Sequence, residues 1–345
     1  MPTDEVWQAL LAAELPQPRL RALLEAPEAV LASAEKLLAS NRLNDGEKER
    51  ARKVPPTALR QALASGARIL TESEYPSQMM EWLQRPPAVF VWGDESSLHL
   101  PSVGIVGTRA PTTYGKAAAY KFAEALARAG VAVISGGALG IDAAAHRGAL
   151  EAGGRTVAVL GSGIDRVYPA VHRGLFQSIR ERGCLVSQFA AGVTPSPYKF
   201  IVRNHLIAGL SRAVVVVEAP ETSGSLTTAQ AANDYGRQVF VVPANIDNAN
   251  FRGSHALIRD GATLVDHPDQ VLEALGLEPK TPPKPAPAFN KLQQRIVDVL
   301  GSEPLAAEMI VDRTGVSSGE VLAELTMLEL EGVIFRDAGG YALRS

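Results

Sequence analysis

The chain reads as an α/β protein built on a doubly wound parallel sheet, with a small helical segment ahead of it and a small helical domain with a hairpin behind it. Three observations predict this. Residues 101–245 alternate short apolar runs with alanine-rich helical stretches. The apolar runs are continuous rather than alternating, as in strands covered on both faces. A proline tract then separates a last segment of 57 residues, 289–345. At about 150 residues per domain, 345 residues suit two or three domains.

The predicted strands are Val103–Val106, Val131–Ser135, Thr156–Leu160, Ala213–Glu218 and Gln238–Val242, with Leu185–Ser187 a weaker sixth. Lys116–Ala129 and Thr227–Tyr235 are helices between them. Alternation of this kind makes a Rossmann-like domain, expected over 71–278. Residues 1–70 read as short helices of a SAM-like kind. Leu10 and Leu11, then Leu20, Leu23 and Leu24, recur at helical spacing, and Pro16, Pro18, Pro27, Pro55 and Pro56 punctuate them. The turn Leu15-Pro16-Gln17-Pro18 lacks the glycine pair of a DNA-binding hairpin, so this segment is expected to pack or to contact protein. Residues 279–288 hold five prolines and form a stiff linker. Beyond it, helices at Lys291–Leu300, Ala306–Thr314 and Ser318–Glu331 precede a hairpin of Val333–Arg336 and Tyr341–Arg344. Three helices and a hairpin spell a winged helix, expected over 289–345.

Composition narrows the function. There are 34 Lys and Arg against 37 Asp and Glu, a net charge of −3, so a globally basic nucleic-acid binder is excluded while a local basic site is not. One cysteine allows neither a disulfide framework nor a cysteine zinc cluster. No apolar run reaches the length of a membrane span, and the first residues lack a basic leader, so the expected location is the cytoplasm.

Ligands of doubly wound sheets bind beyond the carboxyl ends of the strands. Four such ends are rich in glycine or serine: Gly107-Thr108-Arg109, Ser135-Gly136-Gly137-Ala138-Leu139-Gly140, Gly161-Ser162-Gly163 and Ser223-Gly224-Ser225. Glycine lets backbone amides approach oxyanions, and the following helix starts add positive dipoles. One such loop need only turn the chain. Four on one sheet edge suggest a ligand with several phosphates. The first loop is not G-x-G-x-x-G, and no Walker A loop exists, so no nucleotide cofactor is expected. Arg109 stands where a cofactor loop would carry a small residue and would clamp phosphate. A second constellation lies on a helix opened by Pro195-Ser196-Pro197, where Lys199, Phe200, Arg203 and Asn204 gather two cations, a ring and an amide. Cations follow phosphates and a ring stacks any base, the design of single-strand binding.

Catalytic candidates are thin. Asp142 and His146 are four apart and could pair, although Asp142 capping a helix is the plainer reading. The histidines lack metal-ligand spacing, and Cys184 sits in an apolar strand context.

Taken as an ordered set, these strings resemble the DNA-processing protein DprA (Smf) family. The set comprises Tyr75-Pro76, Pro86-Pro87, Val106-Gly107-Thr108-Arg109, Ser135 to Asp142 with Ala145-His146, and Tyr168-Pro169. It continues with Arg203-Asn204, Glu218, Ser223 to Thr227, Gly236-Arg237 and Pro243. The resemblance covers nearly all of 71–266. It implies a protein that binds single-stranded DNA as a homodimer and helps load the RecA recombinase in natural transformation. The dimer contact is expected within residues 226–265, where Leu257 and Ile258 supply apolar surface. Three positions depart from the family pattern: Gln188 stands where Glu is common, His205 where Arg is common, and Ala244 where Gly is common. A competing class, a phosphoribohydrolase on a similar sheet, would need a carboxylate on the helix after Gly224, and Leu226-Thr227-Thr228-Ala229-Gln230 offers none.

Overall fold

The structure, a computed structural model, describes residues 2–26, 28–278, 289–300, 305–330, 333–337 and 340–343. The chain divides into two compact units, residues 1–280 and 281–345. The proline tract expected as a linker, 279–288, lies outside the described residues, as do Pro27, Glu331, Ala338, Gly339 and Arg344.

Among the described residues the first unit holds one nine-stranded sheet. Its strands are β1 (Ala67–Thr71), β2 (Ala88–Gly93), β3 (Ser102–Val106), β4 (Ala132–Ser135), β5 (Thr156–Val159), β6 (Cys184–Ser187), β7 (Ala213–Val216), β8 (Gln238–Val241) and β9 (Thr263–Leu264). The spatial order is β1-β2-β6-β5-β4-β3-β7-β8-β9. From β6 to β9 all pairs are parallel, so the six predicted strands are present within two residues of their expected ends. The sheet is not wholly parallel, however: β2 runs antiparallel to β6, and β1 to β2. Ala67 and Arg68 already belong to β1, ahead of residue 71. These edge strands escape the βαβ pattern because antiparallel neighbours need no crossover, and the α-helix between β1 and β2, Ser77–Met80, is a single turn.

The central strands are buried along their whole length, as their Val, Ile and Ala content requires. Helices Thr113–Arg128 and Ile141–Glu151 cover one face, and Pro197–Leu210 and Ser225–Asp234 the other. The N-terminal helices Asp4–Ala12, Gln17–Leu24, Ala34–Ala39, Asp45–Lys53 and Pro56–Ala64 do not form a core of their own. Val6, Leu10, Leu20 and Leu37 pack into one apolar cluster with Phe90, Leu160, Phe176 and Phe189 of the sheet region. Gln8 ties the two together, donating to the Ala191 carbonyl at 2.7 Å and accepting from its amide at 3.1 Å.

In the second unit, Lys291–Val299, Ala307–Thr314 and Ser318–Leu330 precede the antiparallel pair Ile334–Asp337 and Gly340–Leu343. Ile296, Ile310, Val321, Leu325 and Tyr341 form its core.

Candidate nucleic-acid interface

Chain order makes a switch point between β3 and β7. From β3 the chain moves outward through β4, β5 and β6, then returns to lay β7 on the other side of β3. Loops leaving neighbouring strands in opposite directions open a crevice at their carboxyl ends. A cavity of about 690 Å³ occupies it. Gly107, Thr108 and Arg109 line it from β3, and Thr222, Ser223, Gly224 and Ser225 from β7. The start of helix Pro197–Leu210 closes it with Phe200, Ile201, Arg203 and Asn204. That helix start and the start of Ser225–Asp234 both line the cavity, so two positive dipole ends act on it.

The four loops do not serve it equally. In the second, the amides of Gly136 and Ala138 are already donated to Asp142 Oδ2, at 3.1 and 3.3 Å. The protein's own carboxylate fills the nest in which a phosphate was expected. Asp142 is buried, and that burial raises its pKa, with the Arg203 cation opposing. Ser135 is also buried, donating to the Ile105 carbonyl at 2.7 Å, and the Gly137 carbonyl faces His172 Nδ1 at 3.0 Å. The third loop lies under the site: a Cβ at Gly161 would come within 2.5 Å of Phe200 Cδ1, so glycine there makes room for the ring.

The cations likewise part company. Arg109 is exposed and, among the described residues, has neither a hydrogen bond nor an ion pair from its guanidinium, which sits 5.2 Å from the Phe200 ring centroid. Arg203 is only 4% exposed. It donates to the carbonyls of Gly136 at 2.6 Å and Val159 at 2.7 Å, and to Asn204 Oδ1 at 3.3 Å. Burial first, and the nearby Arg109 charge, lower its pKa to about 10, with Asp142 opposing. It pins the helix to the ends of β4 and β5. A Cβ at Gly136 would fall 2.0 Å from its Nη1, so that glycine admits the guanidinium. Asn204 is a second tie, donating to the Gly224 carbonyl at 3.0 Å and Thr227 Oγ1 at 2.8 Å.

Lys199 does not join the cavity. Its ammonium is 3.0 Å from Glu14 Oε1, and its side chain is 12% exposed. Helical spacing brought it near Arg203, but a long side chain at the helix start can lean to either flank, and the N-terminal helices draw it away. His205 also faces elsewhere, with Nδ1 2.6 Å from the Tyr235 hydroxyl. Burial lowers its pKa, so a neutral imidazole stands there at pH 7.

Asp142 and His146 make no hydrogen bond to each other. His146 is buried, with Nδ1 2.7 Å from Thr156 Oγ1, whose proton goes to the Val133 carbonyl. Burial, with the His172 and Arg203 charges adding to it, lowers its pKa to about 3. Cys184 is buried in β6, which pushes its thiol well up. Among the described residues no group of three His, Cys, Asp or Glu could hold a metal.

Two residues were not singled out as site residues from sequence, one behind the Arg109 loop and one at the cavity. Glu218, buried beyond the end of β7, accepts from the Thr112 amide and hydroxyl and from Asn250 Nδ2 at 2.8 Å. It holds the loop that carries Arg109. Tyr168 lines the cavity, is 49% exposed and lies 5.6 Å from the Phe200 centroid. Both stood in the motif strings, but nothing in their spacing showed which would be buried and which open.

The fold and its cavity therefore define a Rossmann-like protein with a crevice at the switch point lined by Arg109 and two helix starts, joined to a winged-helix unit. The family model for DNA recombination-mediator protein A matches residues 67–276, and that for the DprA winged helix domain matches 278–340. The chain is 40% identical to Protein Smf of Escherichia coli K12 over 278 residues, 77% of this chain and 74% of that protein. It is 35% identical to Protein Smf of Synechocystis over 307 residues, 78% and 77% of the two chains. Its structure resembles DNA processing protein A from Streptococcus pneumoniae, with a TM-score of 0.67, 31% identity, and 79% and 98% of the two chains covered. It also resembles DNA processing protein A from Helicobacter pylori, whose structure concerns a single-stranded DNA binding mode. There the TM-score is 0.56, the identity 29%, and the coverage 61% and 95%. The chain belongs to the DNA recombination-mediator protein A family, also called DprA or Smf. No helix among the described residues is long and apolar enough to cross a membrane.

Proposed function

We propose that this protein binds and protects single-stranded DNA in the switch-point cavity and helps load a RecA recombinase on it, acting as a homodimer in natural transformation and homologous recombination. The observation that carries the binding step is Arg109, an exposed guanidinium with no hydrogen-bond or ion-pair partner among the described residues, beside two helix starts and an aromatic pair. Cations and dipole ends meet phosphates, and rings meet bases, whatever the sequence. The Helicobacter pylori relative, studied for its single-stranded DNA binding mode, supports the same reading. The step to RecA rests on family membership. The dimer reading rests on that and on the sheet edge at β9, where Leu264 is 47% exposed.

The test titrates single- and double-stranded oligonucleotides of matched length at two salt concentrations. Single strands should bind more tightly, with affinity falling linearly in log salt. Equal or tighter binding of duplex would refute the site. Sedimentation at micromolar concentration should show a dimer, and acceleration of RecA filament formation on single-stranded DNA should follow protein addition.

A further inference from the structure

The ring expected to stack a base was Phe200, and its surroundings argue otherwise. Phe200 is half-buried, with Gly161 backed against it. The Arg109 guanidinium lies 5.2 Å from its centroid, that of Arg203 5.8 Å, and the Tyr168 ring 5.6 Å at a 36° tilt. Neighbours therefore already crowd this ring. Tyr168 differs: it rests on Phe200, yet 49% of it remains exposed at the cavity. Its hydroxyl makes no hydrogen bond among the described residues, so no polar tie explains holding the ring there.

We propose that Tyr168 is the base-stacking platform of the bound strand, with Phe200 as its support and Arg109 as the phosphate contact beside it. The proposal rests on the single-stranded DNA reading. Arg109 and Tyr168 both lean on one ring, within 5.6 Å of its centroid. A phosphate on the first and a base on the second then belong to the same or adjacent nucleotides. Leu139, 45% exposed, lines the small cavity of about 50 Å³ between Arg109, Tyr168 and Phe200, and gives the base an apolar shoulder. A ring face with no aligned donor or acceptor accepts all four bases.

The experiment compares an ordinary single strand with one of equal length carrying a run of abasic sites, on the full chain and on Tyr168→Ala, Tyr168→Trp and Arg109→Ala. The unaltered protein should prefer the strand with bases. Tyr168→Ala should lose affinity about five- to a hundredfold, lose that preference and keep its salt slope, while Tyr168→Trp retains both. Urea unfolding of the same samples checks that Tyr168→Ala is folded. Should it not fold, quenching of 2-aminopurine fluorescence in the strand by the unaltered protein, but not by Tyr168→Leu, reports the stack directly. If Arg109→Ala weakens binding while a folded Tyr168→Ala binds both strands as the unaltered protein does, the stacking proposal falls and the site stands. If Arg109→Ala also leaves binding unchanged, the site itself is wrong.

Discussion

Arg203→Ala should act on stability before it acts on DNA. The substitution removes a guanidinium that is 4% exposed and donates to the Gly136 carbonyl at 2.6 Å and the Val159 carbonyl at 2.7 Å. Both carbonyls lie at the carboxyl ends of central strands. Each buried carbonyl left unpaired costs about 1–3 kcal/mol. The two together predict a loss of about 2–6 kcal/mol, and Asp142 loses its opposing charge as well. With a urea m-value of about 3 kcal/mol/M, the unfolding midpoint should fall by about 0.7–2 M. Arg109→Ala is the contrast: an exposed residue without hydrogen bonds among the described residues should leave stability within about 0.5 kcal/mol. It should instead weaken single-strand binding and flatten the log-log salt slope by about 0.7. Urea titration and salt-dependent binding on the same two variants decide the matter. An Arg203→Ala protein with an unchanged midpoint, weak binding and a flattened slope would show that this guanidinium meets phosphate rather than strand ends, and would refute the reasoning.

Other outcomes follow from the same geometry. Gly161→Ala drives a Cβ to 2.5 Å from Phe200, so it should displace the ring and weaken single-strand binding more than Lys199→Ala. The Lys199 variant breaks only the pair with Glu14 and should bind within about twofold of the unaltered protein. His146 is held neutral by burial, with its pKa lowered to about 3 from an ordinary 6.5. Between those values the unfolded chain binds the extra proton, so stability present above pH 6.5 should fall as the pH drops toward 3. The loss is on the order of 5 kcal/mol, and urea midpoints of His146→Leu should show less of this dependence. Deleting residues 281–345 should leave single-strand affinity within a few-fold, because Ser318–Leu330 carries Glu320, Glu324 and Glu329 with no Lys or Arg. A collapse of affinity would place the DNA site in the second unit.

The parallel strands were legible because burial on both faces demands continuous apolar runs, and β3, β4, β5, β7 and β8 display them. Their order, and with it the crevice between β3 and β7, was open to inference only as a rule about strand ends. Edge strands β1 and β2 were missed. They lack the strand-helix alternation, and β1 is half-covered, with a mixed burial pattern. The winged-helix unit was legible from three short helical periods followed by a hairpin.

What the sequence determined by itself was the chemistry available at the strand ends: the glycines, the serines, Arg109, and a helix start bearing Phe200, Arg203 and Asn204. Only the tertiary structure decided how each group is used. Asp142 takes the Gly136 and Ala138 amides, Arg203 is committed to two strand carbonyls, and Lys199 turns to Glu14. Arg109 and Tyr168 are left facing the cavity. The physical reason is that hydrogen-bond partners and ion pairs come from residues as far as 185 positions apart, as Lys199 and Glu14 are. Spacing along a chain fixes which side chains share a helix face, whereas burial and pairing depend on what packs against that face.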